Sequence, residues 1–151
     1  MTSRKLLQLE WPELKTKVVA EPLDVNHALY DWFMTNVPMQ AVQTHVAVSG
    51  QSIYIINLRL KHAPNFSYRD LVEEYLPDTP VGRVGSGSLA TGLVGSIGIK
   101  YGELYERMSY PNMAQIRAED IEKFKKVGEA VWRSFYFTKE IIHCNIGALE
   151  A

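Results

Sequence analysis

The chain has 151 residues, 46% of them hydrophobic and 22% charged, with a formal net charge of −1. That length supports one domain with a real core, and the near-neutral balance excludes the basic excess of a dedicated nucleic-acid binder. A single cysteine, Cys144, excludes a disulfide framework and a Cys-rich zinc site. The N-terminal ten residues lack the apolar run of a signal peptide, and no window approaches the roughly 18 apolar residues needed to span a bilayer. The expectation is a cytoplasmic protein with no membrane partner and no nucleic-acid partner.

Taken in chain order, Lys5 to Trp11 reads as a first strand closed by Pro12, and Thr16 to Glu21 as a second closed by Pro22. Asn26 stands where an N-cap belongs, and Leu29, Trp32, Phe33 and Val37 fall near helical spacing, which predicts a helix over 26–37. Residues 42–48 give the strongest strand signal. With the Gly50-containing turn and Ile53 to Ile56 they predict a hairpin. Ser67 is placed to cap a short helix over 68–75, stopped by Pro77. From Val81 to Tyr105 small and β-branched residues alternate with glycine, which predicts short strands and tight turns. Met113 to Ile116 predicts a further strand. Ile121, Phe124, Val127, Val131 and Phe135 mark one face of a helix over 119–134, and a last strand runs from Thr138 to Ile146. Strands with three helices inserted and no βαβ alternation predict a mostly antiparallel sheet or small barrel with helices outside it.

Seven of the ten glycines lie between Gly82 and Gly102. Gly85 to Ala90 fits the G-x-G-x-x-A dinucleotide pattern, but Thr91-Gly92-Leu93-Val94-Gly95 follows, where the mechanism needs a helix N-terminus. Flexible or tightly turning β structure is the better reading, and its freed backbone amides, with Ser86 and Ser88, are candidates for the wall of a site. Downstream, strand alternation puts Lys100, Gly102, Leu104 and Glu106 on one face and Tyr101, Glu103, Tyr105 and Arg107 on the other. The second face sets two phenols, a carboxylate and a guanidinium in line. It would bind an acidic substrate through Arg107 and move protons through Glu103 or Tyr101, unless it is a solvated face of cross-strand pairs. His45 lies in an otherwise apolar strand; such a histidine is commonly structural, yet it is the best of the four histidines as a general base, with Ser49 close behind. His143 and Cys144 are adjacent in a strand and point to opposite faces, so they make a poor catalytic pair. No metal-binding spacing occurs, and Arg83 is a second candidate anion ligand, weighed against a solvated surface arginine.

Thr44 to Tyr54 resembles the H-x-x-x-S-G-x-x-I-Y hairpin of small bacterial proteins with a cyclophilin-like barrel. Ile99-Lys100-Tyr101-Gly102 looks like the I-x-Y-G strand of that group, and Val127 to Trp132 like its C-terminal helix, so the likeness spreads over residues 16–146. The resemblance implies a cyclophilin-like closed antiparallel β-barrel, mainly β with flanking helices. Relatives of cucumopine synthase in that group perform Pictet–Spengler ring closure between an amino acid and a 2-oxo acid. On that resemblance an arginine holds a carboxylate while Glu103, Tyr101 or His45 moves protons at the imine. The F-x-x-Q-G-G-D stretch of true cyclophilins is missing, which puts proline isomerisation last.

The expected protein is a cofactor-independent acid/base enzyme on a small carboxylated metabolite. His45, Tyr101 and Glu103 are its candidate catalytic residues. Ser49, Arg83, Ser86, Ser88, Tyr105 and Arg107 are its candidate substrate contacts, with no metal. The alternative is a non-catalytic binding or assembly domain, in which Trp11, Trp32 and Trp132 serve core or interface. The aromatic content further predicts a homo-oligomer.

Overall fold

A computed structural model describes residues 3–56, 58–87 and 94–151. Leu7, Leu9 and Trp11 alternate inward along β1 (Leu6–Trp11), and Pro12, which has no N–H for a ladder, opens a 3-10 turn over Pro12–Leu14. The chain returns antiparallel as β2 (Thr16–Pro22). Helix α1 (His27–Met34) buries Leu29, Tyr30, Trp32 and Phe33. It is shorter than the sequence predicts. Asn26 precedes it with a left-handed φ of 59° and no capping bond. Its side chain instead donates to the carbonyls of Val72 (2.8 Å) and Asn112 (2.7 Å), tying two distant segments together.

The remaining elements are β3 (Met39–Val42), β4 (Thr44–His45), β5 (Gly50–Ile55), β6 (Glu73–Tyr75), β7 (Arg83–Gly85), β8 (Ile97–Leu104), β9 (Ser109–Ile116), α2 (Ile121–Arg133) and β10 (His143–Leu149). The expected hairpin is present, with Thr44 opposite Tyr54 and His45 opposite Ile53. Two expectations fail. Ser67 does accept from the Arg69 N–H (3.3 Å), but the helix stops after one 3-10 turn, because residues 73–75 find a ladder with residues 109–111 of β9. The strand predicted over 42–48 is interrupted at Gln43, and residues 46–49 form a loop.

Every strand pair is antiparallel, in the order β3-β10-β1-β2-β9-β7-β8-β5-β4, with β6 added beside β9. The ladder is an open path, so the closed barrel expected above is not what the hydrogen bonding forms. Its two end strands are consecutive halves of segment 39–45. Gln43 separates them: its N–H still donates to Ile142 O (2.7 Å), while its side chain accepts from Trp11 Nε1 (2.9 Å) and donates to Thr44 O (3.0 Å). A polar side chain buried at that point is satisfied on both sides, and the chain changes ladder partner there rather than continuing.

Helix α2 lies against β2, β4, β5 and β8, burying Phe124, Val127 and Val131, with the Phe124 ring 6.1 Å from that of Trp11. Trp11 and Trp32 are core residues, whereas Trp132 is partly exposed. Among the described residues no helix is long and apolar enough to cross a membrane. Helix and sheet approach closely at Gly128, where a Cβ would overlap Cγ of the Tyr101 ring. Gly128→Ala should therefore destabilise the fold, despite alanine's better helix propensity, by about 1–3 kcal/mol or more from overpacking. Urea denaturation followed by circular dichroism checks this; an unchanged or raised midpoint would contradict the close approach.

Candidate functional site

Strand β8 separates two environments. Ile97, Ile99 and Tyr101 are buried in the core, Tyr101 against α2, while Gly98, Lys100 and Leu104, joined by Ile99, line a cavity of about 290 Å³. That is near the lower end of small-molecule pockets, about 300–1,000 Å³. The cavity is bounded by loop residues 46–49, Ser52 and Tyr54 of β5, Arg83 of β7, and Tyr110 and Asn112 of β9, with Glu106 and Met108 beyond the end of β8.

Lys100 is the unusual group. Its residue is 7% exposed, and Nζ donates to the carbonyls of Leu76 (2.9 Å) and Pro77 (3.3 Å). No ion pair among the described residues includes it. Burial pushes its ammonium below the ordinary lysine range, and the charge of Asp78 offsets this only in part. Arg83, by contrast, is held on three sides: Nε and Nη2 reach the Glu74 carboxylate (3.0 and 3.3 Å) and Nη1 reaches Gln115 Oε1 (3.0 Å). Burial works to raise the Glu74 carboxyl, but hydrogen bonds from Arg83 and Asn112 outweigh it and hold the group below the usual range. Arg83 keeps two of its five N–H bonds uncommitted.

Also lining the cavity, the Tyr110 hydroxyl lies 2.9 Å from Ser96 Oγ, which accepts from the Gly87 N–H (2.9 Å). Burial pushes the Tyr110 phenol up, and the Ser96 hydrogen bond counters part of that. At the rim Ser49 Oγ donates to Glu106 Oε2 at 2.5 Å. The cavity therefore combines an amine, a guanidinium, a phenol and a carboxylate with the apolar surfaces of Leu104 and Met108.

The residues expected to be catalytic are placed elsewhere. His45 is 3% exposed; its Nε2 is 2.8 Å from Tyr101 Oη and its Nδ1 is 2.8 Å from the Val46 carbonyl. A carbonyl only accepts, so Nδ1 carries the proton and Nε2 accepts from the phenol. Burial lowers the His45 pKa, opposed by the Val46 bond. Burial first, then the Glu129 charge and Tyr136, pushes Tyr101 up to about 12. The pair sits beside a shallow cleft edged by Trp132, Tyr136 and Phe137 and separated from the cavity by the 46–48 loop. Glu103 and Tyr105 are exposed and bond each other, Tyr105 Oη donating to Glu103 Oε2 at 2.5 Å. Arg107 is exposed in the turn before β9. The expected line of Tyr101, Glu103, Tyr105 and Arg107 thus does not converge on a pocket: its first member lies under α2 and the rest face outward. Of the expected substrate contacts, Ser49 and Arg83 line the cavity, Ser86 is buried with its hydroxyl on Ser96 O (2.7 Å), and Ser88 lies outside the described residues. Among the described residues no three or more His, Cys, Asp or Glu side chains cluster to hold a metal.

Sequence reasoning missed Lys100, Glu106 and Tyr110. The signal for the first two was available: Ile97 and Ile99 share the parity of Tyr101, so that face belongs to the core and the opposite one is left for the site.

No family model matches the chain, and no curated protein matches it. Among solved structures it is similar to McbB, determined in complex with tryptophan, with a TM-score of 0.75 and 22% identity. The likeness is one of fold. It covers 93% of this chain and 44% of McbB, so the chain spans under half the length of that protein.

The lowered basicity of His45 has a consequence for stability. The unfolded chain takes up a proton at this residue before the folded one does. The stabilisation is complete above histidine's ordinary value of 6.5 and is lost as pH falls from there towards the lower folded value. Urea midpoints should fall between about pH 7 and pH 5, and His45→Gln should flatten that decline; an equal slope in both proteins would rule His45 out as the source.

Proposed function

We propose that this chain is a cofactor-independent enzyme that acts on a small carboxylated, amino-acid-like metabolite by general acid/base proton transfer, with the cavity beside β8 as its site. The observation that carries the reading is Lys100, a buried ammonium on a cavity wall that forms no ion pair among the described residues, the Asp78 charge offsetting its burial only in part. A charge removed from water without a paired counter-ion is costly, and an entering carboxylate relieves that cost. Arg83 supplies a second, permanently charged contact. Lys100, Tyr110 and Glu106 are groups of different acidity around one small volume, as proton transfer at neutral pH requires. The buried His45–Tyr101 pair is assigned a positioning role, because both His45 Nδ1 and Tyr136 Oη (2.7 Å) bond the Val46 carbonyl at the cavity's edge.

Ring closure between an amino acid and a 2-oxo acid is the specific reaction we assign, with ring opening and isomerisation as related proton-transfer chemistry. It is supported by the sequence resemblance to cucumopine synthase-type Pictet–Spengler enzymes and by the fold shared with a protein solved with tryptophan bound.

The test is to incubate the protein with tryptophan and pyruvate and follow both by mass spectrometry. A condensed product supports the proposal; tight binding with both compounds recovered unchanged would instead make this a binding domain. Lys100→Met should weaken carboxylate binding about 10- to 100-fold by calorimetry, the equivalent of a charged hydrogen bond of about 1.5–3 kcal/mol. Glu106→Gln should leave binding nearly unchanged and lower turnover by about 10²- to 10⁴-fold, as expected for losing a proton-transfer group.

A further inference from the structure

Lys100 differs in kind from the other lysines whose side chains form ion pairs. Lys5, Lys17, Lys123 and Lys125 are 45–62% exposed and each meets a carboxylate. Among the described residues Lys100 meets two backbone carbonyls and no carboxylate, and carbonyls can only accept. A neutral amine satisfies both with its two N–H bonds, and its nitrogen lone pair has no partner among the described residues. Nζ belongs to a residue lining the cavity, where Tyr54, Leu104 and Met108 provide apolar surface and Tyr110 and Glu106 provide proton-carrying groups.

We infer that Lys100 is a nucleophile that condenses with the ketone of a 2-oxo acid held in this cavity, forming an imine. The inference rests on reading the cavity as the substrate site and goes beyond it by naming a covalent step. The Lys100 ammonium first gives its third proton to solvent, and the lone pair of the neutral Nζ then attacks the ketone carbon and forms the C–N bond. The ketone oxygen takes one proton released from the nitrogen, then the second, and leaves as water as the C=N bond forms. Both amine protons end in that water, Tyr110 and Glu106 relaying them without being consumed, and no oxidant or reductant takes part. The carboxylate of the same molecule meets the uncommitted N–H bonds of Arg83. An amino acid's amine then displaces Lys100 from the imine carbon, which returns the lysine as a free amine and leaves the two substrates joined through C=N. The depressed basicity of Lys100 agrees with this, since it makes the reactive amine accessible nearer neutral pH.

The experiment is reductive trapping. The full chain is incubated with phenylpyruvate and sodium cyanoborohydride, and the modified lysines are located by peptide mapping, with phenylpyruvate binding measured separately by calorimetry. The expected result is a reduced adduct on Lys100 ahead of the exposed Lys5, Lys17 and Lys125, and its loss in Lys100→Arg. Phenylpyruvate that binds while Lys100 stays unmodified, or labelling that follows exposure alone, overturns the imine and leaves the cavity assignment standing. Neither binding nor labelling overturns both. Trapping in the unaltered protein is decisive by itself should Lys100→Arg fail to fold.

Discussion

The two faces of β8 are fixed by one contact, the Tyr101 ring laid against Gly128 of α2. Tyr101 and Ile97 are committed to the core by it, Gly98, Lys100 and Leu104 to the cavity, and Ile99 packs in the core while touching the cavity wall. A shift of one residue in the ladder would exchange the faces. It would expose three large apolar side chains, each stabilised by about 1.5–3 kcal/mol through burial, and would drive the Lys100 ammonium into the core. The glycine at position 128 is the helix's side of this arrangement: it lets helix and sheet approach closely enough for an aromatic ring to fill the gap between them.

The cavity's other wall depends on a second polar anchor. Gln43 hands segment 39–45 from β10 to β5, and the loop that follows is tied down at three points. His45 Nδ1 and Tyr136 Oη both bond the Val46 carbonyl, the Tyr105 N–H donates to Ser49 O (2.7 Å), and Ser49 Oγ donates to Glu106. The histidine that stands out in the sequence thus anchors the loop behind the cavity wall. Its shifted pKa follows from burial, and a perturbed titratable group is not by itself a sign of catalysis.

Much of the fold was legible in the sequence. β1, β2, the β4–β5 hairpin and α2 follow from apolar period and from the prolines that end them. The helix expected over 68–75 was not, because residues 73–75 gain a ladder from β9 that lies far away in sequence, and such a partner overrides a local cap. The interruption at Gln43 was equally hidden, since it depends on a hydrogen bond to Trp11, 32 residues distant. The alternation along β8 is legible in the sequence, but its polar groups do not tell which face borders the cavity: Tyr101 packs against α2 and Lys100 lines the cavity. Glu103, Tyr105 and Arg107 drew attention as a dense row of polar groups, yet polar density on an exposed strand end is ordinary. A buried lysine between two apolar neighbours is the rarer pattern.

The central claim is that a small carboxylated molecule occupies the space beside Lys100. A crystal structure of the protein grown with phenylpyruvate tests it most directly. Density in the cavity between Lys100, Arg83 and Tyr110 is the predicted result. An empty cavity with density beside His45 and Tyr136, or along Glu103 and Tyr105, would contradict it.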